Sequence, residues 1–191
     1  MNALTICFIL ATVAIELLPL VVVRKVQMPE KAKITRFFVT LAVAALVLLF
    51  AVTLTPFGSS LGRCLWIIGL LAFYGTFPFT RWLTDALGHL PRQFMLAHFL
   101  LINAAPWLLA MSAQTPSGFS GTLRVVSLVH MIVLMLRMVT TRDVAMKYRH
   151  AIVLLNGMLA GLVHARQVLP FAIIICSECL LLWSIPKDEN S

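Results

Sequence analysis

The stretch VLPFAIIICSECLLLWSI, residues 168–185, holds one formal charge in 18 positions, the carboxyl of Glu178. A helix needs about 20 mostly apolar residues to cross the hydrocarbon core of a bilayer, and fewer when its ends are anchored at the interface. Lipid offers no water to peptide groups, so an apolar run of this length must pair its own backbone as a helix. The same pattern recurs outward from this stretch. Apolar blocks lie at Ala3–Val23, Phe37–Thr55, Cys64–Thr80, Phe94–Ala113, Leu123–Val139 and Ala151–Ala165, separated by short polar or basic breaks. Of 191 residues, 61% are hydrophobic and 12% charged, and mean hydropathy is +0.98. The expected fold class is therefore all-α: a polytopic transmembrane helical bundle of about seven spans, forming one integral membrane domain over residues 1–191.

The charges give this partition a direction. With the N-terminus outside, the inner segments hold Arg24, Lys25, Lys31, Lys33 and Arg36, then Arg81 and Arg92, then Arg137, Arg142, Lys147, Arg149 and Lys187. Only Arg63, Arg124 and Arg166 remain outside, so 12 of the 15 Lys and Arg fall on one side. That bias is the positive-inside pattern of an N-out, C-in protein in a bacterial-type inner membrane. If blocks six and seven were one broken span, the bundle would have six helices with both ends outside. The run His164-Ala165-Arg166-Gln167 interrupts that stretch and favours seven. The net charge of +8 then reads as a topology signal beside anionic headgroups, with no nucleic-acid partner implied. The first block lacks a basic leading region and is interrupted by Glu16 and Pro19, so it is expected to stay as a span.

Polar residues inside apolar blocks are the candidates for function, because lipid penalises them. Glu16 and Glu178 lie within the first and last blocks, each roughly 15–20 Å from the outer start of its helix. A charge there costs at least about 2.5–3.5 kcal/mol, so each carboxyl should be protonated, paired or facing water. Asn103, His130 and Asn156 fall at a similar depth in the fourth, fifth and sixth blocks. Five such groups at one level form the expected binding cluster: Glu16, Asn103, His130, Asn156 and Glu178. The alternative is a set of separate interhelical hydrogen bonds. Gly157 and Gly161 form G-x-x-x-G, which lets two helices approach closely and suits a sixth span inside the bundle.

Other motifs carry less. His150 and His164, 14 residues apart, fall near one helix face at about 21 Å, a spacing similar to the axial ligands of dihaem cytochromes b. That pattern would bind haem b, but His98 and His130 do not supply the matching pair on a second helix. Gly118-Phe119-Ser120-Gly121 has the G-x-S-G form of rhomboid proteases, without that family's surrounding His and Asn spacing; Pro116-Ser117-Gly118 is also ordinary turn chemistry. Cys176 and Cys179 form C-x-x-C, similar to membrane thiol oxidoreductases such as the vitamin K epoxide reductases, though deeper in the span. Cys7 and Cys64 both lie near the outer face and would pair in an oxidising compartment. No metal cluster or nucleotide loop is present in the sequence, and no cofactor is expected. The first functional expectation is a small permease or channel-like protein handling a proton, ion or small solute at the polar cluster. A non-catalytic subunit of a larger membrane complex is the second, and an intramembrane enzyme acting on a lipid or quinone the third. Membrane lipids, partner subunits or further copies of the chain are the expected partners.

Overall fold

The computed structural model describes residues 28–53, 59–103, 106, 120–163 and 168–186. The described residues form seven α-helices and no strand. These are α1 (Met28–Thr53), α2 (Ser60–Phe73), α3 (Thr80–His89), α4 (Arg92–Ala97), α5 (Ser120–Thr140), α6 (Val144–Leu162) and α7 (Val168–Ser184), with one wide π turn, His98–Ile102, continuing α4. Two helical segments, Lys33–Ala51 and Gly121–Thr140, are long and apolar enough to cross a membrane; the apolar Ser60–Phe73 and Val168–Ser184 are shorter. The expected first span, with Glu16, lies outside the described residues.

The 26 residues of α1 span about 39 Å. Ile34, Phe37, Leu41, Ala45, Leu48 and Ala51 recur at helical spacing on its buried face, while Val39, Val43, Leu46 and Phe50 face outward. Along that buried face α1 packs antiparallel against α2 and α3 in turn. Gly69 of α2 lets the backbones close in, since a Cβ there would stand 2.8 Å from Leu48 Cδ2. Farther along, the Phe37 and Trp82 rings are 5.2 Å apart, Arg36 pairs with Asp85 at 3.4 Å, and Lys33 Nζ reaches His89 Nε2 at 3.1 Å. The contacts proceed in opposite chain directions without a jump. Together α2 and α3 therefore act as one helix interrupted at Tyr74–Phe79.

This corrects the sequence reading of the third block, which placed a single span at Cys64–Thr80 and a loop after it. The interruption is encoded locally. Gly75 takes φ +59, a left-handed conformation that costs other residues about 1–2 kcal/mol. Its N–H donates to Ala72 O at 3.2 Å, and the Thr76 N–H donates to Leu71 O at 2.9 Å. Those two bonds form the Schellman closure of a helix C-terminus. The Thr76 hydroxyl adds a second bond to Leu71 O, and the Trp82 indole N–H a second to Ala72 O. After the break, Trp82, Leu83, Ala86 and Leu87 form the buried stripe of α3 at helical spacing, ending before Pro91.

The α5–α6 hairpin turns at Thr141–Asp143, where Asp143 caps α6 by accepting the Ala145 N–H at 2.9 Å. Both glycines of G-x-x-x-G face α5: a Cβ on Gly161 would stand 2.9 Å from Ser127 Oγ, and one on Gly157 would run into the His130 ring. The opposite face of α6 packs on α7, with further contacts to α3 and α2. At the end of α7, Arg92 donates to the carbonyls of Trp183 and Ile185 and so caps that helix. Arg149 lies over Gly88, near the C-terminus of α3. Lys33, Arg36, Arg81, Arg92 and Arg149, which the charge pattern groups on one side, thus sit at one end of the helices.

Gly75→Ala should lower unfolding stability in detergent by about 1–2 kcal/mol, because the left-handed turn resists a Cβ. Gly121→Ala has nothing within 4 Å of the new methyl and should leave the thermal midpoint unchanged. Equal midpoints for the two variants would remove the buried turn as a determinant of the fold.

Candidate functional site

Four of the five sequence candidates lie among the described residues, and all four are fully buried: Asn103, His130, Asn156 and Glu178, each at 0% exposure. Three of them meet in one hydrogen-bonded chain that starts at the helix break. The Tyr74 carbonyl can only accept, so the Asn156 Nδ2 that lies 2.7 Å from it must donate. That orientation turns Asn156 Oδ1 toward Asn103, whose Nδ2 donates to it at 2.5 Å. The same Nδ2 donates its second hydrogen to Glu178 Oε2 at 3.2 Å. A return link closes the group, as the Tyr74 hydroxyl donates to the Asn103 carbonyl at 2.8 Å.

The local folds explain how these groups meet. Asn103 follows the π turn, where its N–H reaches back five residues to His98 O at 3.3 Å. π turns of this kind shift a helix face by part of a turn and recur at functional sites. Asn156 lies on the buried side of α6, next to Gly157, and Glu178 lies on the buried side of α7 with Ile174, Ile175 and Leu182. The chain of donors leaves two acceptors over. Asn103 Oδ1 and Glu178 Oε1 are buried and have no hydrogen-bond partner. The ion pairs found among the described residues, Arg36–Asp85 and Arg81–Asp85, lie at the helix ends and do not reach Glu178.

His130 is tied to the same break by a separate route. The Phe77 N–H donates to His130 Nδ1 at 3.0 Å, which requires a lone pair on that nitrogen. The proton therefore sits on Nε2, which lies 2.9 Å from the Val153 carbonyl and donates to it. The imidazole bridges the break and α6 as a neutral ring, with Gly157 making room for it. Ser127 adds a parallel bond to Gly157 O at 3.0 Å. His130 is thus part of the same buried layer while bonding to backbone groups instead of to Asn103, Asn156 or Glu178.

Several sequence features lie apart from this layer. His98 is packed in an aromatic cluster, 5.4 Å from Phe37 and 5.5 Å from Phe99 between ring centres. His150 is buried in α6. Cys64 and Cys176 are exposed and Cys179 half-buried, all as free thiols. Glu16, Cys7 and His164 lie outside the described residues, as do the first two residues of the G-x-S-G run. Among the described residues no group of three or more His, Cys, Asp or Glu could hold a metal ion. Sequence reasoning missed Tyr74, which contributes both a hydroxyl and a carbonyl. Its signal was the cluster Tyr74-Gly75-Thr76-Phe77-Pro78, whose Gly and Pro mark a turn inside an apolar block.

The fold and site define an all-helical protein with two helices of membrane-crossing length and a buried amide–carboxyl group beside an interrupted helix. No known protein family, curated protein or solved structure matches the chain.

Asn156→Ala would leave the Tyr74 carbonyl and one Asn103 N–H without partners. The expected loss is about 1–3 kcal/mol of unfolding stability in detergent. Amide hydrogen exchange should quicken at Tyr74–Phe79 more than in α5. Unchanged exchange at the break would show that Asn156 does not hold it.

Proposed function

We propose that this is a small multi-pass membrane protein of the permease or channel-like class, which binds and releases a proton at Glu178. The observation that carries the reading is the buried carboxyl with one amide donor on Oε2, nothing on Oε1, and an equally unpartnered Asn103 Oδ1 in the same group. A neutral carboxylic acid supplies the donor that this pair of acceptors lacks. A bare carboxylate would instead stand in the core with a single neutral hydrogen bond, against a cost of about 2.5–3.5 kcal/mol or more for charge in lipid. The proton is favoured over a larger solute because the chain of bonds from Tyr74 to Glu178 is already close-packed. Interrupted helices at such sites are a recurring device of transporters, since they leave backbone groups and short helix ends near the bound ion.

The membrane setting agrees with the outward surfaces. Val125, Leu128, Ile132, Leu136 and Val139 of α5, with Leu169, Ile173, Leu180 and Trp183 of α7, expose large apolar side chains that water would penalise. On this reading the chain spans a bacterial-type inner membrane N-out and C-in, with seven spans including the first block. A second reading, a non-catalytic subunit of a larger complex, is supported by His130 and Asn156. Both hold backbone groups of the break, as a packing role requires.

The test is proton flux into liposomes containing the purified chain and a trapped pH-sensitive dye, driven by a potassium diffusion potential. Wild type should acidify the liposome lumen, and Glu178→Gln should slow that change at least tenfold while keeping its unfolding midpoint, since the Gln amide can donate to Asn103 Oδ1. Flux that survives the substitution would refute Glu178 as the proton site. Absence of flux in wild type, with retention of a co-purifying membrane polypeptide, would favour the subunit reading.

A further inference from the structure

The α5–α6 hairpin carries a surface groove of about 300 Å³ whose lining is sorted by polarity along its length. Arg124 stands at one end, followed by Leu128 and Met131 on successive turns of α5, with Met158 and Leu162 forming the facing wall on α6. Gly161 forms part of the floor, where its missing side chain lets α6 lie close against Ser127 of α5. The arginine is exposed, lies one turn inside the N-terminus of α5, and has no partner among the described residues. Helix N-termini favour anions, so the cation and the helix end reinforce each other at this place. Below it the walls are apolar, with two flexible thioether side chains that adapt to irregular guests.

We infer that this groove binds an anionic phospholipid, its headgroup phosphate on Arg124 and one acyl chain laid along Leu128, Met131 and Met158. The inference rests on the membrane reading but not on the proton reading of Glu178. A unit positive charge above an apolar channel matches the order of charge and hydrocarbon along such a lipid. A free phosphate would have no use for the channel, and a zwitterionic lipid, which carries the same phosphate, has no net negative charge to balance the unpaired cation.

Native mass spectrometry of the full chain in detergent, titrated with dioleoyl phosphatidylglycerol or dioleoyl phosphatidylcholine, tests this directly. Wild type should retain the anionic lipid about fivefold more tightly, the scale of one cation at a membrane surface. Arg124→Gln should abolish that preference, whereas Arg63→Gln, which removes an exposed cation on α2, should preserve it. Leu128→Trp, which fills the groove at an exposed position, should weaken both lipids. The inference fails if wild type shows no preference, if Arg63→Gln acts as strongly as Arg124→Gln, or if Leu128→Trp leaves lipid retention unchanged. None of these outcomes depends on proton flux, so a silent Glu178 would leave the lipid site standing.

Discussion

Every buried N–H and C=O in an apolar interior needs a partner, and the interruption at Tyr74–Phe79 is where this protein meets that demand by unusual means. A continuous helix would satisfy these groups by itself. Here α2 closes its own end through Gly75 and Thr76, yet the Tyr74 carbonyl and the Phe77 N–H still point into the core. Asn156 takes the first and His130 the second. Both residues come from the α5–α6 hairpin, so the break and the hairpin can only form together. The close approach that this requires is provided by Gly157, where any side chain would occupy the place of the imidazole.

The polar residues of the core therefore divide by what they bond. His130 and Asn156 serve backbone groups, which explains their burial without invoking a ligand. Asn103 spans the two worlds, with one hydrogen on Asn156 and the other on Glu178. Glu178 alone brings a group that no backbone atom requires. Interhelical hydrogen bonds of this kind contribute about 0.6–2 kcal/mol each, so the layer stabilises the bundle modestly while fixing its register. The carboxyl is the member whose presence needs a chemical reason, and the proposed proton binding would provide one.

At the helix ends, a different set of contacts aligns the elements. Arg92 binds the last carbonyls of α7, Arg149 covers the end of α3, and Asp85 receives Arg36 and Arg81. Exposed ion pairs are worth little individually, about 0–1 kcal/mol. On the proposed membrane reading their arrangement matters more for direction, since cations gathered at one end would favour that end staying on the cytoplasmic side.

The sequence by itself determined that the described segments are helical and where the apolar middles of those helices lie, because block length and hydropathy act locally. It set the starts of α1 and α6 nine and seven residues too late, since their first turns carry the charges read as loop. The limits expected for the fifth and seventh blocks lie within three residues of α5 and α7. It also singled out Asn103, His130, Asn156 and Glu178, since a polar side chain in an apolar run stands out without knowledge of its neighbours. It missed the division of the third block into α2 and α3. The Gly75 turn was present in the residues, but a uniform apolar average conceals it. Only the tertiary structure decided which polar groups meet. Depth along a helix follows from counting residues, whereas facing depends on how the π turn, the glycine contact and the break rotate each helix against the next. For that reason the structure joins Asn103, Asn156 and Glu178, and sends His130 to the backbone.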